Sequence, residues 1–267
     1  MIKQSEQPIG IFDSGIGGTS IWREINSLLP NEHTIYLSDS KNAPYGEKNK
    51  DEIIQLSIKN TELLISKDCK MIIVACNTAT TNAIKYLRAN YNIPFIGIEP
   101  AIKPASLKTK SRAIGILATK GTLNSSLFEK TSSIVNNDIE IVEQVGKGIV
   151  ELIEDGNMNS SVMTRILKQY LNPMVVKNCD HIVLGCTHYP YLIPQIKEII
   201  GNNITIIDSG EAVARQTKNV LLENNLINQS SNSNCVKNKF YINNNKKYIL
   251  LNILKEYPKV YIDFLDF

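Results

Sequence analysis

No stretch of this chain is long and apolar enough to span a bilayer. Its longest apolar runs, such as residues 71–76, fall far short of the ~20 residues a transmembrane helix needs, and no membrane association is expected. A surplus of one charge is also missing: 29 Lys and Arg stand against 26 Asp and Glu, a formal net charge of +3. The two signs are interspersed, with no basic stripe and no basic amphipathic helix, so no nucleic-acid partner is expected. Cysteine is scarce, five in 267 residues, and an odd number in a chain this long does not make a disulfide framework. Residues 1–8 are polar and run directly into an apolar strand, without the blocks of a secretory signal. These absences predict a cytoplasmic protein with reduced thiols.

What is present is the composition of a globular protein, 43% apolar and 21% charged, long enough for one large α/β domain or two ordinary ones. Short apolar runs alternate with helix-length amphipathic stretches. Residues 9–12, 34–37, 71–75 and 95–98 read as buried strands, with helices near 20–29, 50–67 and 80–90. The second half repeats the style, with strands at 113–117, 139–142, 181–185 and 204–207 and helices near 149–154, 160–171 and 192–200. Such alternation predicts parallel sheets flanked by helices. The two halves also share a sequence echo. Lys67-Asp68-Cys69 through Val74-Ala75-Cys76-Asn77-Thr78 resembles Lys177-Asn178-Cys179 through Leu184-Gly185-Cys186-Thr187-His188, and Ile9-Gly10-Ile11 resembles Ile114-Gly115-Ile116. Residues 224–245, rich in Asn and Ser, read as a surface excursion before a last strand at 240–242 and a helix from Lys246. No function is expected there.

Cys76 ends one apolar run and Cys186 ends its counterpart. Open α/β sheets bind ligands at this carboxyl edge, and a helix N-terminus there lowers a thiol's pKa and offers N–H groups to anions. Either cysteine alone is more often an inert packing residue; the matched pair points to chemistry. Cys179, His181, Cys186 and His188 have metal-ligand character, but an extended strand rising ~3.3 Å per residue puts His181 ~16 Å from Cys186. A tetrahedral zinc needs ligands within ~2.3 Å, so no metal site is expected. Cys69 and Cys179 read as packing residues. Asp13-Ser14-Gly15-Ile16-Gly17-Gly18, after the first strand, reads as a tight turn with close backbone approach to a ligand. It matches neither the dinucleotide nor the Walker fingerprint. Asp13 suits an ammonium partner or a proton relay, against the plainer reading of a helix cap. Ala43-Pro44-Tyr45-Gly46 marks a further turn on the same edge. Two thiols without a cofactor suit inversion of a stereocentre, where a base removes a proton from one face and an acid supplies one to the other. Each sulfur then lies ~3–3.5 Å from the reacting carbon, leaving the pair ~6–7 Å apart.

These motifs resemble the glutamate racemases of the aspartate/glutamate racemase superfamily, over nearly the whole chain. The resemblance implies an α/β fold of two pseudo-symmetric domains, each a mainly parallel sheet flanked by helices, with the active site between them. Residues 1–98 plus 208–267 form the first, the chain returning near Asp208-Ser209-Gly210, and 99–207 the second. It implies glutamate as substrate, no pyridoxal phosphate or other cofactor, and a role in making D-glutamate for peptidoglycan. It maps Cys76, Cys186, Asp13 and His188 onto catalysis, Asp13 assisting Cys76 and His188 assisting Cys186. Asp13, Ser14, Tyr45, Gly46, Asn77, Thr78, Thr187 and His188 map onto substrate contacts, and Glu154 onto a position near the substrate amine. Gln144-Val145-Gly146 departs from the pattern, since many members carry Cys-Pro after the Gln–small pair. Aspartate racemases are the nearest alternative, but they tend to carry Glu where this chain has His188. A non-catalytic amino-acid-binding module, or a regulator of another enzyme, is the alternative from a different class. A second role on DNA gyrase, known for some members, finds no basic or helical feature here. Oligomeric state stays open, a homodimer being one arrangement.

Overall fold

The computed structural model describes residues 3–135, 138–229 and 237–267. Among the described residues, ten strands form two sheets: β1 (Ile9–Asp13), β2 (Thr34–Ser38), β3 (Met71–Val74), β4 (Phe95–Gly97), β5 (Ala113–Ala118), β6 (Glu140–Val145), β7 (His181–Gly185), β8 (Thr205–Ile207), β9 (Asn238–Ile242) and β10 (Val260–Phe264). One sheet has the order β10-β9-β2-β1-β3-β4, the other β6-β5-β7-β8. Every pairing is parallel, as the strand–helix alternation predicts. Strands β1, β2, β3, β5 and β7 are buried along their whole length, which explains why they are continuous apolar runs rather than alternating ones. No helix among the described residues is long and apolar enough to cross a membrane.

The sequence echo is a structural repeat. The order β2-β1-β3-β4 recurs as β6-β5-β7-β8, so β3 and β7 are counterparts. The turns leading into them match bond for bond. Asp68 and Asn178 take left-handed φ values of 57° and 54°. Asp68 N–H donates to Ile65 O and Cys69 N–H to Leu64 O, while Asn178 N–H donates to Val175 O and Cys179 N–H to Met174 O. Both are Schellman closures of the preceding helix. Cys69 and Cys179 are buried beyond these turns. Burial pushes their thiols up to about 12 and about 11, so both are inert packing groups at neutral pH, as read from the sequence.

Two readings of the C-terminal region need correction. The Asn-rich segment is not simply a surface excursion. The strand expected at 240–242 is present as β9, between β2 and β10 in the sheet, but Asn228, Asn238 and Asn243, read as part of the excursion, are buried; residues 230–236 lie outside the described residues. Asn238 Oδ1 accepts from the Thr34 hydroxyl at 2.8 Å, and Thr34 in turn accepts from Trp22 Nε1 at 2.9 Å. The amide is buried because that chain satisfies it. Cys235 lies outside the described residues. Strand β10 has no counterpart in the sequence reading, because Tyr261 and Phe264 are largely exposed on an edge strand and the run lacks the apolar continuity of the others. The helices Ile102–Lys108 and Gly210–Glu223 are also additions.

Candidate active site

The carboxyl ends of both sheets' central strands meet at one tight cavity of about 10 Å³. One wall carries Ser14 after β1, Cys76, Asn77 and Thr78 after β3, and the turn Pro44-Tyr45-Gly46. The facing wall carries Thr119 after β5, Val150, and Cys186, Thr187 and His188 after β7. The sequence-selected residues therefore converge, with two exceptions. Asp13 and Glu154 do not line the cavity; both are buried, and Glu154 spends its carboxylate on Ile16, Ser40 and His188.

Cys76 is the N-cap of the helix Asn77–Asn90, which starts three residues before the expected boundary. Its sulfur accepts from Ala79 N–H at 3.5 Å and lies 3.6 Å from the Ser14 hydroxyl. Burial drives the thiol well above its ordinary pKa, Asp13 adds to this, and the Ala79 and Ser14 contacts oppose it. Cys186 has no such helix. A 3₁₀ turn, Tyr189–Leu192, follows it before the helix Ile193–Ile200, so the two cysteine settings are not copies. Instead, Cys186 Sγ lies 3.7 Å from His188 Nδ1, and His188 Nε2 lies 2.6 Å from Glu154 Oε1. Burial pulls the His188 pKa down, but the contacts and charges of Cys186 and Glu154 outweigh it and leave it well above the usual value. The imidazole beside Cys186 is therefore held toward its protonated form.

Asp13 Oδ2 accepts from Gly15 N–H at 3.2 Å and Gly18 N–H at 2.9 Å, and Oδ1 from the Thr187 hydroxyl at 3.4 Å. It is thus both the turn's cap and a neighbour of Cys76. Burial raises its pKa to about 6, against lowering by His188 and Gly18. A carboxyl titrating there can hold or release a proton near neutral pH. The shift also carries a stability prediction. With the folded pKa above the unfolded one, the contribution is full below about pH 4 and is lost as pH rises through about 6, roughly 3 kcal/mol in all. Thermal melts across this range should show Asp13→Asn gaining on the parent protein as pH rises. A constant difference would mean that Asp13 does not titrate in this window.

The glycine turn approaches protein side chains rather than leaving room for a ligand, a correction to the sequence reading. A Cβ on Gly15 would sit 1.9 Å from Glu154 Oε1, and one on Gly17 would sit 2.2 Å from His188 Nδ1. Ile16 N–H also donates to Glu154 Oε1 at 2.7 Å, and the Ser40 hydroxyl to Oε2 at 2.8 Å. The first half of the chain thereby orients the Glu154–His188 pair of the second. That pairing went unread in the sequence, since Glu154 lies 34 residues from His188 and only the fold joins them. Thr119 had a usable signal. The echo that aligns Ile9 with Ile114 aligns Ser14 with Thr119, and both line the cavity.

The cavity's polar equipment is mostly neutral. Thr78 and Thr119 hydroxyls are 2.8 Å apart, and neither amide atom of the buried Asn77 has a hydrogen-bond partner among the described residues. Tyr45 contributes its ring, because its hydroxyl donates away from the cavity to Asp39 Oδ2 at 2.5 Å. No Lys or Arg lines the cavity among the described residues. An unpaired buried amide is costly unless a ligand completes it. Strand β7 is unbroken, which leaves His181, bonded to Asp180 at 2.8 Å, at the far end from Cys186.

Comparison with known proteins gives this geometry a family. A curated glutamate racemase of Herpetosiphon aurantiacus is 41% identical over 232 residues, covering 87% of this chain and 91% of that protein. The crystal structure of a glutamate racemase isoform from Bacillus anthracis matches with a TM-score of 0.86 at 29% identity, covering 98% of each chain. That of glutamate racemase from Francisella tularensis, in complex with D-glutamate, matches with a TM-score of 0.83 at 29% identity, again over 98% of each. The family model for Asp/Glu/Hydantoin racemase matches residues 9–217, and the chain belongs to that family.

Proposed function

We propose that this protein is a glutamate racemase, an isomerase that interconverts L- and D-glutamate by two-base proton transfer between Cys76 and Cys186. The observation that carries this reading is the pair itself: two thiols that follow counterpart strands of the two sheets and line one cavity. One thiolate removes the α-proton, the opposite thiol delivers its own proton to the other face, and solvent exchange resets both. No electron acceptor is required and no cofactor takes part. Cys186, beside a protonated His188, acts as base on L-glutamate. Cys76, with Asp13 to take its proton, acts as base on D-glutamate. Asn77, Thr78, Thr119 and Thr187 bind the substrate's carboxylates through neutral donors.

The chain divides into a domain of residues 1–98 plus 208–267 and one of residues 99–207. The cavity has only about 10 Å³ of free space, roughly the room one water needs, so glutamate enters when the two domains part. The product D-glutamate serves peptidoglycan synthesis in the cytoplasm. Incubation with pure L-glutamate in heavy water tests the reading. Optical rotation should decay to zero, and the D-product should carry deuterium at its α-carbon. Stable rotation in the presence of active-site thiols titrated as free would sink it.

A further inference from the structure

The Asn-rich region offers a feature that the proposed reaction does not use. Ile242 pairs with Ser38, so Asn243 leaves β9 alongside Asp39 as it leaves β2. Asn243 is buried. Its Nδ2 donates to Asp39 Oδ1 at 2.5 Å and to Phe267 O at 3.1 Å, while its Oδ1 accepts from Lys41 N–H at 2.8 Å. Asp39 is the hub of the turn that follows. Its Oδ2 accepts from the Tyr45 hydroxyl, and its Oδ1 also accepts from Asn42 Nδ2 at 2.7 Å, with Lys59 Nζ at 3.5 Å. One amide from a distant strand thus grips both the hub carboxylate and the main chain of the turn.

We infer that Asn243 is a positioning residue that holds the turn of residues 39–46 in its substrate-binding form. The inference rests on the cavity being the substrate site. That turn sets Pro44, Tyr45 and Gly46 on the cavity wall and Ser40 on Glu154. Freed from Asn243, it samples open forms, and binding must first select the ordered one. A lower competent fraction raises KM by the reciprocal of that fraction and leaves kcat alone. Because the two enantiomers have equal free energy in water, kcat/KM must fall by the same factor in both directions.

The test is Asn243→Ala in the full chain, read in two ways. KM for L- and D-glutamate should rise about tenfold or more, as expected for losing a hydrogen bond to a charged group, with kcat nearly unchanged. Trypsin cleavage after Lys41 should accelerate to a similar degree while cleavage after Lys130, on the helix Ser126–Ser132, does not. The isosteric Asn243→Asp leaves no void and sets a carboxylate against Asp39, so it should loosen the turn at least as much. It serves if the alanine variant does not fold. An unchanged rate at Lys41, or a kcat loss as large as the KM rise, overturns the inference. The proteolysis needs no glutamate, so it stays decisive even if the racemase reading fails.

Discussion

Cys76→Ala and Cys186→Ala should each abolish racemisation, with a loss of at least about 10³-fold expected when an essential proton-transfer group is removed. Both directions must fail in both variants, because each thiol is the base in one direction and the acid in the other. Cys69→Ala and Cys179→Ala should stay close to the parent activity. Their thiols are held neutral by burial, and they sit at the opposite ends of their strands from the cavity. Cys235→Ala is expected to be equally silent. Progress curves followed by optical rotation, with purified variants of matched folding, decide the matter. Substantial turnover by either Cys76→Ala or Cys186→Ala means that racemisation does not run through the thiol pair.

His188→Asn should lower kcat/KM by about 10²-fold or more, and its signature lies in how that loss is distributed. The two enantiomers have equal free energy in water, so kcat/KM must fall equally in both directions. Asymmetry can appear only in kcat, in KM and in isotope effects. With no imidazolium beside Cys186, proton transfer at that sulfur becomes more rate-limiting. The substrate deuterium isotope effect should then grow for L-glutamate, where Cys186 is the base. Asp13→Asn should enlarge it for D-glutamate. The structure adds a third variant. Glu154 Oε1 accepts from His188 at 2.6 Å and from Ile16 N–H at 2.7 Å. Glu154→Gln keeps an acceptor there but loses the negative charge that supports the imidazolium. It should therefore mirror His188→Asn at reduced size. Equal isotope effects from both enantiomers in all three variants would falsify the assignment of His188 and Glu154 to Cys186.

Much of this was legible before any coordinates. Runs such as Met71-Ile72-Ile73-Val74 are apolar throughout because helices cover both faces of a parallel sheet, and that alone marks the class of fold. The repeated Lys-x-Cys spacing reports a helix closure that local hydrogen bonds dictate, so the repeat could be read residue by residue. Where local signals ended, the reading erred. The Asn-rich segment looked like loop because polarity was taken for exposure. Asn228, Asn238 and Asn243 are buried because partners far away in sequence complete their hydrogen bonds. The glycines of residues 15–18 announced a close approach without naming what approaches.

By itself, the sequence determined most strands and helices of both halves, though not β10 or the helices Ile102–Lys108 and Gly210–Glu223, together with the kinship of the halves and which strand ends carry thiols. These follow from unbroken apolar runs, from helical periodicity and from caps a few residues long. Tertiary structure alone decided that both thiols face one cavity, that Asp13 stands behind it, and that Glu154 charges His188. It alone set Thr119 opposite Thr78 and Asn243 against Asp39. Those relations depend on how two sheets are docked, and no periodic pattern along a chain encodes the distance between residues that only packing brings together.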